Sequence, residues 1–368
     1  MKIERIILRQ VNLPYRHPLQ TSHFRIAASS AIIVQVDAEG ITGWGEAPLL
    51  QGPWYNEESV DTGWLLLEKF LIPALLSAEI TQPADVSEQF VGLVGHFVAK
   101  AGLEFAVWDW FGRAGQVSLK TLLGGTQSSI PVGISLGIYP SPEILFGRIE
   151  GALEAGYRRI KLKIKPGWDI AVVTAVRERW PDILLQVDAN NVYTHADIDH
   201  LRQLDVLDLL LIEQPFAQDD IIDHARLQAV MQTCICLDES IITLDKARKA
   251  LEIDAARAIN IKPARVGGLH VSRQIHDLAQ AHNVPVWCGG MMETGIGRAT
   301  NVALASLPNF VLPGDVSDNA DYFERDIVSN PFHLNADSTL TVPDLPGNGA
   351  MVDLDYLQAV TVRQETYQ

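Results

Sequence analysis

Five ionisable residues stand at nearly equal spacing along the chain: Lys163, Asp188, Glu213, Asp238 and Lys262, separated by 25, 25, 25 and 24 residues. Each closes or follows a short apolar run, so they share one register. Three acids in the middle are flanked by an amine on each side. Carboxylates that converge in a partly buried place repel one another unless a cation neutralises them, and hard oxygen donors select Mg²⁺ or Mn²⁺ over zinc. The competing reading, in which each acid caps the helix that follows, does not require a register common to all three. A cation between two amines points to proton transfer at carbon. A carboxylate substrate chelating the ion would have its α-proton acidified, because the charge of the enediolate is neutralised. One lysine would take the proton, and the other, on the opposite face, would supply one or stabilise charge. Lys161 lies two residues before Lys163, on the same face of an extended strand. With the cation it should lower the pKa of the base toward the working pH.

The elements that must position these residues recur with the same period. Apolar runs occur at Val132–Leu136, Arg159–Ile164, Leu184–Val187, Leu209–Ile212, Cys234–Leu237, Ala258–Ile261, Val284–Trp287 and Asn309–Leu312, with helical patterns between most of them. Continuous apolar strands separated by amphipathic helices are the mark of parallel βα units. Eight in succession predict a barrel, whose strand C-termini face one mouth where chemistry is built. An open doubly wound sheet fits less well, because the Gly-dense stretch at 289–297 follows the seventh run, not the first. Residues 1–125 read as an α+β domain, with strands at Ile3–Leu13, Ser30–Val36 and Gly40–Ala47 and helical patterns at Ser59–Leu71, Pro83–Val94 and Gly102–Ala114. The expected architecture is therefore α/β: a (β/α)7β TIM-like barrel over 126–318, an N-terminal α+β capping domain, and a segment 319–368 returning to the cap.

Composition excludes several classes. The 368 residues are 47% hydrophobic and 20% charged, which suits a globular chain with a large core. A formal charge of −16, from 29 basic and 45 acidic residues, argues against nucleic acid and anionic membranes as partners. The first fifteen residues alternate charge with apolar side chains, unlike a signal peptide. The apolar segment Phe70–Leu76 is too short to span a bilayer and contains Pro73. Three cysteines make no disulfide framework, and Cys234 and Cys236 read as small barrel-filling residues. A reduced, cytoplasmic protein acting on a small-molecule carboxylate, and forming a homo-oligomer, is expected.

Lys161-Leu-Lys163, Val187-Asp188-Ala-Asn190, Ile212-Glu213-Gln-Pro215, Leu237-Asp238-Glu239-Ser240 and Ile261-Lys262-Pro-Ala-Arg265 resemble the motifs of the enolase superfamily, in its muconate-lactonizing subgroup. Gly289-Gly-Met-Met-Glu-Thr-Gly-Ile-Gly-Arg-Ala299, Pro313-Gly-Asp-Val-Ser317 and Tyr322-Phe-Glu-Arg-Asp326 resemble the o-succinylbenzoate synthase and N-succinylamino acid racemase family within it. The resemblance covers essentially the whole chain. It implies Asp188, Glu213 and Asp238 as Mg²⁺ ligands, with Lys163 and Lys262 as the acid/base pair on either side of an enediolate. It further implies substrate contacts from Lys161, Asn190, Gly290 and Met291, and supporting roles for Glu239 and for Arg265, which otherwise reads as half of a surface ion pair. Loops near 19–25 and 50–55 would close over the mouth, with Trp54 packing on the substrate. Ser135, ending the first strand, is read as a substrate contact or a helix cap. Syn dehydration in the menaquinone pathway and racemisation of N-succinylamino acids are both implied activities, and a muconate cycloisomerase is the weaker alternative. A mandelate-racemase type would need a histidine where Trp287-Cys-Gly-Gly stands, and a dipeptide epimerase an acid at Ser317. A phosphate-binding barrel leaves the acid triplet unexplained, and a non-catalytic barrel would lack one of the five residues.

Overall fold

The computed structural model describes residues 1–20 and 24–368. The expected mouth loop at 19–25 thus falls partly outside the described residues. The chain opens with a four-stranded antiparallel sheet whose order is Thr361–Tyr367, Arg5–Val11, Ile32–Ala38 and Ile41–Ala47. One face, with Ile6, Leu8, Ile32, Val34 and Val36, is fully buried. It packs on the eighteen-residue helix Phe97–Ala114. Gly43 and Gly45 make this approach possible: a Cβ on either would come within 2.2 Å of a helix carbonyl, Ala106 O or Gly102 O. The expected strand Ile3–Leu13 is present as Arg5–Val11, and a separate hairpin, Leu13–Gln20 with Arg25–Ser29, follows it. The C-terminal strand enters the sheet from the far end of the sequence, beside Arg5–Val11. Pro83–Val94, expected as one helix, forms only the short helix Asp85–Gln89.

Seven parallel strands follow in sequential order: Ile134–Leu136, Arg159–Lys163, Leu184–Asp188, Ile212–Glu213, Ile235–Leu237, Ala258–Ile261 and Val286–Cys288. Their side chains are almost all buried, as continuous apolar runs covered on both faces should be. The eighth run makes no ladder. Asn309–Leu312 lies between Pro308 and Pro313, which lack N–H donors and restrict the residues before them. It contributes isolated parallel bridges instead, Phe310 to Val286 on one side and Gly314 to Val132 on the other, which join the two edges of the curled sheet.

Buried carboxylates of the N-terminal part dock on helices of the barrel. Glu104 accepts from the Leu269 and His270 amides at 2.6 and 2.9 Å, at the start of the helix Leu269–Ala281. Glu46 accepts from the Thr294 and Gly297 amides at 3.0 and 2.9 Å and from the Thr294 hydroxyl at 2.6 Å, at the start of the helix Gly295–Ala305. These amides have no partner within their own helices, so each acid satisfies donors that would otherwise be stranded in the seam. Burial outweighs the hydrogen bonds and pushes both carboxyls up to about 7.

Candidate active site

Lateral register brings the central residues together. Lys163 pairs with Asp188 across the second and third strands, and Asp188 with Glu213 across the third and fourth. Asp238 and Lys262 immediately follow the ends of the fifth and sixth strands. Strands two and six are opposite positions of an eight-place ring, so Lys163 and Lys262 face each other across the mouth. Both line a cavity of about 490 Å³, together with Asn190, Glu239, Gly290, Met291 and Trp54. One wall is apolar, with Phe24, Ile26, Leu50 and Met292. Gly290 is constrained from behind as well as in front, because a Cβ there would meet Asp315 O at 2.8 Å.

The acids are buried behind the lysines and turned onto them. Lys163 Nζ lies 2.6 Å from Asp188 Oδ2, and Lys161 Nζ lies 3.2 Å from the same oxygen and 2.8 Å from Glu213 Oε2. Asn260 and Gln186 donate to Glu213 at 2.7 and 3.3 Å. Lys262 Nζ lies 2.8 Å from Asp238 Oδ2, while Oδ1 of the same carboxylate contacts Arg265. Glu239 accepts from Asn190 Nδ2 at 3.0 Å. Burial opposes ionisation of Asp188, but Lys163 and Lys161 outweigh it and hold the group well below its ordinary range. Glu213 moves the other way, because burial and the charge of Asp188 outweigh Lys161. Burial also works against the Lys161 and Lys262 ammonium groups. The acids around Lys161, and Tyr55 with Glu239 around Lys262, nevertheless raise both above the ordinary lysine value. Lys161 is therefore a fixed cation.

Three residues of the site carry no role in the sequence reading. Tyr55, next to Trp54, accepts from Lys262 Nζ at 3.0 Å, places its ring 4.6 Å below that ammonium and donates to Asp238 at 3.4 Å. Trp54 itself is 46% exposed and stacks on Phe24 at 6.1 Å. Asp315 binds Lys161 and Arg159, which hold it at about 2 against the effect of burial. Arg159 was legible by the two-residue period that links it to Lys161 and Lys163. Tyr55 and Asp315 had only their neighbourhood in loop motifs. The competing surface reading of Arg265 falls: it is 2% exposed and donates to Ile241 O at 3.0 Å and Asn260 O at 2.7 Å. One expectation is corrected. Ser135 does not cap the next helix, where Ser141 stands; it is half-buried beside Lys161 in the first strand, and neither it nor Lys161, which is buried behind the lining, lines the cavity.

Residues 3–124 match the family described as mandelate racemase / muconate lactonizing enzyme, N-terminal domain, and residues 147–356 match the enolase C-terminal domain-like family. The chain belongs to the enolase superfamily. Among its relatives in that superfamily, an o-succinylbenzoate synthase of Geobacillus kaustophilus is 46% identical over 362 residues, covering 98% of this chain and 96% of the relative. An N-succinylamino acid racemase of Amycolatopsis sp is 45% identical over 362 residues, covering 98% of both. The crystal structure of an enolase-superfamily member from Listeria innocua superposes with a TM-score of 0.96 at 39% identity, over 100% of this chain and 99% of the other. Both named relatives are enzymes of this superfamily, one a lyase and one a racemase, and this chain is an enzyme of the same family.

The donor set suits the divalent cation such enzymes use. Asp188, Glu213 and Asp238 present hard oxygens from consecutive strands, each 0–1% exposed. Glu239 Oε2 is buried and accepts no hydrogen bond, and Asp238 Oδ2 is met by the Lys262 ammonium. Among the described residues, no three His, Cys, Asp or Glu side chains converge on one point, because the acids are turned onto lysines and Arg265. Ammonium and guanidinium groups balance their charge. Also among the described residues, no helix is long and apolar enough to cross a membrane.

Proposed function

We propose that the protein is an Mg²⁺-dependent o-succinylbenzoate synthase, acting by syn dehydration of 2-succinyl-6-hydroxy-2,4-cyclohexadiene-1-carboxylate, and that the same site racemises N-succinylamino acids. The observation that carries this reading is the pair Lys163 and Lys262, on opposite strands, lining one cavity with buried carboxylates between them. Asp188, Glu213 and Asp238 would hold the cation, whose charge would offset the negative charge a substrate carboxylate gains on losing its α-proton. Lys161, a fixed cation behind the cavity lining, would draw the carboxylate in by its charge. In the dehydration Lys163 takes the α-proton and returns it to the hydroxyl leaving from the same face, so that water departs. Lys262 stays an ammonium on the other face and stabilises the developing charge. Tyr55, whose hydroxyl accepts from its Nζ and whose ring lies against it, supports this assignment.

Racemisation asks more of Lys262, which must exchange a proton with the α-carbon. Arg265 shares the Asp238 carboxylate with it, which weakens the hold of that acid on the lysine. The apolar wall, with Phe24, Ile26 and Met292, suits the ring of the synthase substrate or the side chain of an acylated amino acid. Purified protein assayed with both substrates, with Mg²⁺ and after chelation, tests the reading. Mg²⁺-dependent turnover of the cyclohexadiene substrate supports it, and turnover of neither substrate rejects it.

A further inference from the structure

Asp315 is a buried acid that the proton transfer does not use. It follows the bridging segment at the closure of the barrel, where its amide donates to Cys288 O at 2.9 Å. Its carboxylate faces two cations, with Oδ1 2.7 Å from Arg159 and Oδ2 against Lys161. Arg159 is itself immobile. It is fully buried and donates to Pro313 O at 3.0 Å, Gly314 O at 2.6 Å and Ile134 O at 3.3 Å, carbonyls of the bridging segment and of the first strand it joins. A Cβ on Gly133 would lie 2.4 Å from Arg159 Nε, so the guanidinium fills the space it has. Asp315 therefore hangs from a rigid cation and reaches inward to Lys161.

Lys161 has three anionic neighbours, Asp188, Glu213 and Asp315, and the face of Trp287 at 4.9 Å. Two of the three belong to the acid triplet. A divalent cation drawing on Asp188 and Glu213 would compete with Lys161 for them and repel it, and a buried ammonium without an anion is strongly disfavoured. Only Asp315 can remain with the lysine. We propose that Asp315 is a positioning residue that acts through Lys161: it keeps a counter-ion on this buried ammonium, which frees Asp188 and Glu213 to ligate the cation. Arg159 anchors it. The inference rests on the reading of the mouth as a cation site.

The test is binding of Mn²⁺ alone to the chelator-treated full-length protein, followed by electron paramagnetic resonance, with thermal midpoints recorded for each variant. Asp315→Asn should weaken Mn²⁺ binding at least about tenfold, since the Lys161 ammonium, left without its own counter-ion, would keep its hold on Asp188 and Glu213. In a Lys161→Met background the same substitution should have no effect, because the residue it serves is gone. Undiminished affinity in Asp315→Asn, or an equal loss with and without Lys161, overturns the inference. If Asp315→Asn alone does not fold, Lys161→Met and the double variant decide it: equal affinities support the inference, and weaker binding by the double variant rejects it. Failure of the wild-type protein to bind Mn²⁺ would instead reject the cation site itself.

Discussion

The protein buries carboxylates in two places and charges them differently. At the mouth of the barrel, Asp188 and Asp315 lie against lysines or arginine and stay ionised far below their ordinary range. In the seam between cap and barrel, Glu46 and Glu104 are as deeply buried but face peptide N–H groups, and burial lifts both to about 7. Partial dipoles satisfy hydrogen bonds without repaying the loss of solvation, whereas a full cation does both. The seam is thus built from acids that tolerate a proton, whereas at the mouth the two aspartates set directly on full cations keep their charge and Glu213, crowded by burial and by Asp188, is pushed the other way.

Replacing lysines at the mouth should have the largest effect. Lys163→Ala and Lys262→Ala should each lower kcat at least about a hundredfold in either reaction while Mg²⁺ still binds, since each removes a group that moves or faces the proton. Substantial turnover in either variant would refute the two-lysine assignment. Removal of Mg²⁺ by chelation should abolish turnover reversibly, and restoration on adding Mg²⁺ checks it. Arg265→Ala comes next: without it Asp238 serves Lys262 alone, so racemisation should fall more than dehydration. Equal losses in the paired kcat measurements would count against that.

The seam predicts smaller changes, in stability instead of rate. Glu104→Ala strands two amides at a helix start and should cost about 1–3 kcal/mol in denaturant unfolding, with Glu104→Gln closer to wild type. Because the folded-state pKa of Glu46 and Glu104 lies above the ordinary 4.5, their favourable contribution is complete below 4.5 and is lost as pH rises through about 7. That of Asp315, depressed to about 2, is present above the ordinary 3.8 and lost as pH falls through about 2. Glu46→Gln with Glu104→Gln should therefore flatten the decline of the thermal midpoint between about pH 5 and 8. An unchanged profile would show that the seam acids do not carry it.

Much of this was legible in the chain alone. The near-constant interval from Lys163 to Lys262 follows from one βα unit per strand, so periodicity placed the two lysines and three acids at strand ends before any coordinate did. The alternation of Lys161 and Lys163 was equally plain, being local geometry. The eighth strand was misjudged as a ladder because an apolar run reads as a strand even where flanking prolines deny it hydrogen bonds. Tyr55 and Asp315 were missed for another reason: their partners lie 207 and 156 residues away, Lys262 and Arg159. Their positions in sequence carry no period that would pair them.

The order of residues determined which chemical groups the molecule owns and that a repeating unit would gather five of them at one mouth. The tertiary structure alone decided which acid each base would touch. It seated Tyr55 under Lys262, turned Arg265 inward onto Asp238, and gave Lys161 a third anion in Asp315. The physical reason is that the charge state of a buried group depends on neighbours within a few ångströms, and closure of the barrel and docking of the cap choose those neighbours from distant parts of the chain.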